Sequence, residues 1–257
     1  MRKKSSLTKS MASGIGTGWA AYTFGMSIHT HKELAHRTVD LHPKLRTAGR
    51  LVTWLASGFD SHTFGLNHRI HHAIADGPHD ELAINRVSRW HKFLRSRDYN
   101  QLGSKKLELN AAHVTFGTGI VQPDDPLLIQ LPNGHVEQRR SRADRLFRTG
   151  PVGPLAAIAL GGFLGGKKGA LFASTTIATV AGISSVVNVF GHDAHGTGPD
   201  NTGVDRSGVL SIVTAGESYH RTHHMQPEQL RSAPDGHLDI AASATKALAR
   251  IGLATIK

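Results

Sequence analysis

The sequence predicts an all-α protein: integral membrane helices joined to a cytosolic helical cap, in one domain over residues 1–257. Three observations carry that prediction. Residues 151–166 and 169–190 contain no charged side chain, and only Lys167-Lys168 separates them. The chain holds 18 His, and eight of them fall in three short blocks whose spacing is mostly helical. The formal net charge is +11, and most Lys and Arg lie on the His-bearing segments.

Composition narrows the chemistry. A chain of 257 residues can bury a sizeable core. It has no Cys, which excludes disulfides, thiolate zinc sites and iron–sulfur clusters. Any metal must therefore be held by His and oxygen ligands. The basic surplus suits anionic lipid headgroups or acidic small molecules. No basic tail interleaved with aromatics is present, so nucleic acid is not an expected partner. The mean hydropathy of −0.24 is that of a soluble chain, an average that hides the apolar runs. Met1-Arg-Lys-Lys could open a signal peptide, but no compact apolar run with a small-residue cleavage site follows.

Residues 11–28 are uncharged and rich in Gly and Ala, and read either as a short membrane span or as a buried helix. Residues 48–66 suit an interfacial or core helix. Asp76-Gly-Pro-His79-Asp80 is a turn signal, and the polar residues 81–150 read as a solvent-facing cap. The segments 151–166 and 169–190 read as a membrane hairpin, with a soluble core helix as the alternative. Residues 29–150 hold 18 Lys and Arg and the part from 191 holds six, so the positive-inside rule places the His-bearing segments in the cytoplasm. A single crossing by 11–28 would put the basic N-terminus on the opposite side, against the same rule. Either that run does not cross fully or an upstream helix is missing.

The histidine blocks carry the chemistry. They are His31-Lys-Glu-Leu-Ala-His36, His68-Arg-Ile-His71-His72 and His220-Arg-Thr-His223-His224, with Asn188-Val-Phe-Gly-His192 before the third. In a helix, positions i, i+3 and i+4 share a face. Each H-x-x-H-H triplet can then point three imidazoles at one place, and Asn188 and His192 at i, i+4 join them. His31 and His36 lie about 140° apart on an ideal helix. They meet one centre only from a helix end, or they serve two ions. So many nitrogen ligands are too many for one ion, and two ions are the natural count. An all-His set suits oxygen activation, although ligand type alone leaves Fe, Zn, Cu and Ni open. A zinc hydrolase would need a nearby Glu base, and no H-E-x-x-H is present. His29, His42, His62, His91, His113, His135, His195 and His237 read as surface or capping residues.

The order of these blocks resembles the membrane acyl-CoA (stearoyl-CoA-type) fatty acid desaturases. The matching stretches are His31 to Thr38, Asn67 to His72, Asn188 to His192, and Gly216-Glu217-Ser-Tyr-His220-Arg-Thr-His223-His224. The chain departs from the family pattern at Phe64, Asn67 and Arg221, and has room for one helix rather than two before the first block. The resemblance implies a di-iron site with His31, His36, His68, His71, His72, His192, His220, His223 and His224 as ligands, and Asn188 holding one iron through a water. It implies insertion of a cis double bond into a long saturated acyl chain, carried as a thioester or a lipid, using O2 and two electrons. Electrons would come from a separate donor of ferredoxin, rubredoxin or cytochrome b5 type. The rivals are a lipid or alkane hydroxylase on the same scaffold and a non-enzymatic His-rich metal-binding membrane protein.

Overall fold

The computed structural model describes residues 2–74, 125–132, 136–139, 141–192 and 203–257. Most of the polar cap expected at 81–150, the Asp76–Asp80 turn, and His91, His113, His135 and His195 lie outside these residues. The described part is mostly helical, with two small two-stranded sheets.

The chain begins in one long rod. Helix α1 (Arg2–Ala21) continues without a break into a π-helix, Tyr22–Ala35, buried over nearly its whole length. A π-helix bonds i to i+5, is rare, and tends to occur at functional sites. Arg37 at φ 56° turns the chain out of the rod into strand β1 (Val39–Leu41). Helix α2 (Pro43–Ser57) follows; Pro43 occupies its first turn and the His42 side chain accepts from Lys44 N. Gly58 ends it at φ 73°, a left-handed C-cap. Helix α3 (Ser61–Ile74) then packs against the π-helix.

Strands β2 (Leu128–Gln130) and β3 (Val136–Gln138) form a small antiparallel pair, and a short helix α4 (Asp144–Phe147) follows. Val152–Phe190, here α5, is two helical arms broken at Gly166, whose φ 56° and ψ −145° no side chain would tolerate cheaply. The expected hairpin is therefore present, but its bend is at Gly166, and Lys167-Lys168 open the second arm rather than form the turn. The arms touch closely, with Gly161 facing Gly169 and Ala173.

The second arm lies along α1. Gly14 and Gly18 let the backbones approach, since a Cβ at Gly18 would stand 2.6 Å from that of Thr179. Thr176 Oγ1 also donates to Gly14 O at 3.2 Å. Phe163 and Leu164 at the hairpin end are 86% and 74% exposed, so the apolar surface there is not covered by the protein itself.

Among the described helices, only Val152–Phe190 is long and apolar enough to cross a membrane. The run 11–28 does not stand as an element of its own: it straddles the junction between α1 and the π-helix.

The C-terminal part closes around the π-helix. Short helices α6 (Val209–Val213) and α7 (His220–Met225) lead to α8 (Ile240–Arg250), capped by Asp239. Strand β4 (Ala254–Ile256) pairs antiparallel with β1, Leu41 opposite Ala254. Ile28, Val39, Leu41, Ala215 and Ala241 form the core beneath this pair.

Candidate metal centre

Four elements bring the histidines together. The π-helix carries His31, and His36 caps its end. Helix α3 carries His68, His71 and His72, the end of α5 leads to His192, and α7 carries the last three. Arg69 ties the first two elements. It is 4% exposed and donates to Leu34 O at 2.7 Å, Ala35 O at 3.0 Å and Asp125 at 3.1 Å. The last carbonyls of the π-helix are thereby satisfied by the helix that bears the second block. Gly191 serves the other junction: a Cβ there would come within 3.2 Å of the His220 side chain.

The nine histidines form two adjoining groups. His31, His36, His68, His72 and His223 make one, and His71, His192, His220 and His224 the other, each with its ligand nitrogens within 4.8 Å of one another. In the first, His31 Nε2 lies 2.9 Å from His223 Nε2 and 3.1 Å from His36 Nε2. His72 Nε2 lies 3.1 Å from both His68 Nε2 and His223 Nε2. In the second, His220 Nε2 is 2.9 Å from His192 Nε2 and 3.0 Å from His224 Nε2. The stacked rings of His72 and His224, 4.2 Å apart, join the groups.

One expectation changes here, and one pair of alternatives is decided. Each H-x-x-H-H triplet divides between the groups instead of serving one place: His68 and His72 at i, i+4 go to the first, and His71 to the second. In the third block the i, i+4 pair His220/His224 goes to the second, and His223 to the first. Both triplets therefore feed both groups. His31 and His36, five residues apart, meet in one group from the helix end, the first of the two arrangements their spacing allowed. The π-helix explains this, because its i→i+5 bonding, continued by His36 N to His31 O at 3.0 Å, sets residues five apart one turn apart.

The chemistry of the donor set fits a cation. Burial, then the charge of neighbouring imidazoles, pushes His36, His68, His72, His223 and His224 well below the usual imidazole range, and the same causes bring His220 down to about 3. These rings are neutral, the form that ligates metal. A neutral ring has one bare nitrogen, and several Nε2 atoms about 3 Å apart cannot all be paired by protons. His31 Nδ1 lies 2.9 Å from the Glu217 carboxylate, which can only accept, so Nδ1 carries a proton there and Nε2 is the nitrogen that faces the group.

Glu217 was not among the residues singled out by spacing. It is 4% exposed and accepts from Ser27 as well as His31, with Lys32 Nζ at 3.9 Å. Burial alone would raise its carboxyl, but the charges of His31 and Lys32 and the bonds from His31 and Ser27 outweigh it and hold the group down to about 2. Its presence in the Gly216-Glu217 step before the third block was the available signal. His29 also departs from expectation. It is fully buried, with Nδ1 2.7 Å from Glu33 and Nε2 3.3 Å from Ser61, so it is neither surface nor cap. His62 lies half-buried beside Arg50, Asp60 and Asp144.

A cleft enclosing about 580 Å³, open mouth included, adjoins both groups. Tyr22, Met26, Phe64 and Val187 supply its apolar wall, and Asn188 lines it one turn before His192. Glu217 reaches the same cleft from the opposite side of His31.

Such a scaffold is a helical protein with two adjoining histidine groups that could hold metal, set beside an apolar cleft. A family model described as Fatty acid desaturase matches residues 12–252, and the chain belongs to that family. The family makes it an oxidoreductase of fatty acyl or acyl-lipid substrates. No curated protein matches it.

Proposed function

We propose that this protein is a membrane-bound acyl desaturase of the acyl-CoA type, placing a cis double bond in a long saturated chain with O2 and two electrons at a di-iron centre. One observation carries the reading: the two histidine groups adjoin an apolar cleft at the end of the one apolar hairpin. The net change is –CH2–CH2– + O2 + 2 electrons + 2 H+ → –CH=CH– + 2 H2O. Iron at these positions supplies the redox chemistry for O2 reduction and hydrogen removal.

The chain's own residues do the placement. His31, His36, His68, His72 and His223 would hold one ion, and His71, His192, His220 and His224 the other, with Asn188 lining the cleft beside the second group. Met26, Phe64 and Val187 line the path of the acyl chain and exclude water around it. Placement decides which methylene reacts, because small shifts in a bound chain cost large factors in rate.

The hairpin Val152–Phe190 anchors the protein in the bilayer, and its second arm, 167–190, is roughly 36 Å long at 1.5 Å per residue, enough to cross. The first arm, 152–165, reaches roughly 21 Å and enters without spanning alone. The His-bearing segments lie on the cytoplasmic side, where their positive charge suits an acidic electron carrier and the phosphates of a thioester substrate. The whole chain acts as one unit.

The test is expression in a host that makes no unsaturated fatty acids, followed by lipid profiling beside His223→Ala. Monounsaturated chains with the wild type and none with the variant are expected. Hydroxylated chains instead would assign the scaffold to oxygen insertion, and a protein purifying with two zinc ions and no product would overturn both.

A further inference from the structure

Glu217 enters the site by a deliberate bend of the chain. Ala215 at φ 55° and Gly216 at φ 103° are consecutive left-handed residues, and such strain persists where the surrounding structure demands it. At Gly216 a Cβ would stand 2.7 Å from the Asp239 carboxylate, so no side chain is accommodated. The bend turns Glu217 inward onto the π-helix, where one oxygen takes the Nδ1 proton of His31 at 2.9 Å and the other takes the hydroxyl of Ser27. Lys32 balances the charge from 3.9 Å while its own protons go to Leu230 O and Ser232 Oγ. The other buried carboxylate of the π-helix, Glu33, is committed to His29, Arg46 and Leu41 N, away from both groups.

We infer that Glu217 is a positioning residue for the five-histidine group: it fixes the ring and tautomer of His31 so that Nε2 faces the ion, and it sets that group's metal affinity in preference to its neighbour's. A carboxylate on the far nitrogen of a ligating imidazole orients the ring and raises its basicity, and losing such a partner costs about 10–100-fold in metal affinity. The Glu217 carboxylate bonds the His31 ring directly, whereas His220 of the other group meets its charge and its main chain, so the effect falls chiefly on one of two ions. The inference rests on the proposed pair of metal positions, and its test reads binding rather than turnover.

The experiment is a Co(II) titration of the detergent-purified full chain, followed by visible absorption. The wild type should take two equivalents. Glu217→Gln, isosteric but uncharged, should raise the dissociation constant of one equivalent about 10–100-fold and shift that equivalent's absorption band, with the other much less affected. In a His192→Ala background, where the five-histidine group alone remains complete, the surviving equivalent should respond to Glu217→Gln in the same way. Glu217→Asp keeps the charge but withdraws it by one methylene, and should weaken the same equivalent; it serves if the Gln variant fails to fold. Unchanged affinities and spectrum would overturn the inference. So would equal weakening of both equivalents together with a lower unfolding midpoint of the metal-free protein, which marks a merely structural role. A wild type that binds no pair of ions would remove the metal reading itself.

Discussion

Arg69 shows how much of the site depends on one side chain outside the histidine groups. It links the end of the π-helix, α3 and Asp125, and Leu127 N and Leu128 N also converge on Asp125. Arg69→Leu leaves two carbonyls without the Arg69 donor and strips the buried Asp125 carboxylate of its nearest cation, with Arg37 at 3.8 Å and two backbone N–H groups remaining. Breaking a buried pair costs about 3–5 kcal/mol, so the variant should unfold at markedly lower temperature and lose metal. His62 gives a second residue-scale test. Burial, then the Arg50 charge, lowers its pKa to about 4, against the opposing pull of Asp60 and Asp144. The unfolded chain takes up this proton near pH 6.5 and the folded chain only near pH 4. The associated stability is intact above pH 6.5 and is lost as pH falls toward 4, on the order of 3 kcal/mol in all. Thermal midpoints of wild type and His62→Asn across that window should converge if His62 carries the loss; a constant gap would discount it.

At the scale of elements, close backbone approach sets the frame. Gly14 and Gly18 face Thr175, Thr176 and Thr179, so α1 and the second hairpin arm meet with almost no side chain between them. Small residues at such a contact are what helix association in lipid requires. Gly18→Val forces the helices apart, with an overpacking cost of about 1–3 kcal/mol, and should lower the unfolding midpoint in detergent. Because α1 continues directly into the π-helix, the same change should displace His31 and weaken metal binding. Gly16, whose Cβ would meet nothing, is the control: Gly16→Ala should leave metal binding unchanged and, by helix propensity, hold or slightly raise the midpoint.

For the whole molecule, the metal positions are also a stability term. The histidines come from four elements distant in sequence, so ions held there would bind the folded chain in preference to the unfolded one. Ferrous ion at about 100 times its dissociation constant should stabilise the fold by about 2.7 kcal/mol per site, and chelation should reverse the gain in the thermal midpoint. Much of this assembly was legible in the sequence. The blocks at 68–72 and 220–224 stand out because helical spacing makes i, i+3 and i+4 neighbours, and the hairpin because charges vanish over 169–190. Three things were not legible. Dividing each triplet between two groups needs the relative rotation of helices, which no local pattern encodes. The bend at Gly166 sits among Gly161, Gly162, Gly165 and Gly169, any of which could have turned. The role of Glu217 depends on a backbone bend that brings it to a helix about 190 residues earlier, as in its bond from Ser27.

The π-helix has a consequence for insertions and deletions. Its buried registers hold His31 and His36 in one group only because four residues, Lys32 to Ala35, separate them in an i→i+5 frame. Gaining one residue there would set the two histidines six apart and carry His36 round to another face. A substitution there changes one side chain, whereas a change of length rotates everything beyond it. In this short interval the number of residues matters as much as their identity.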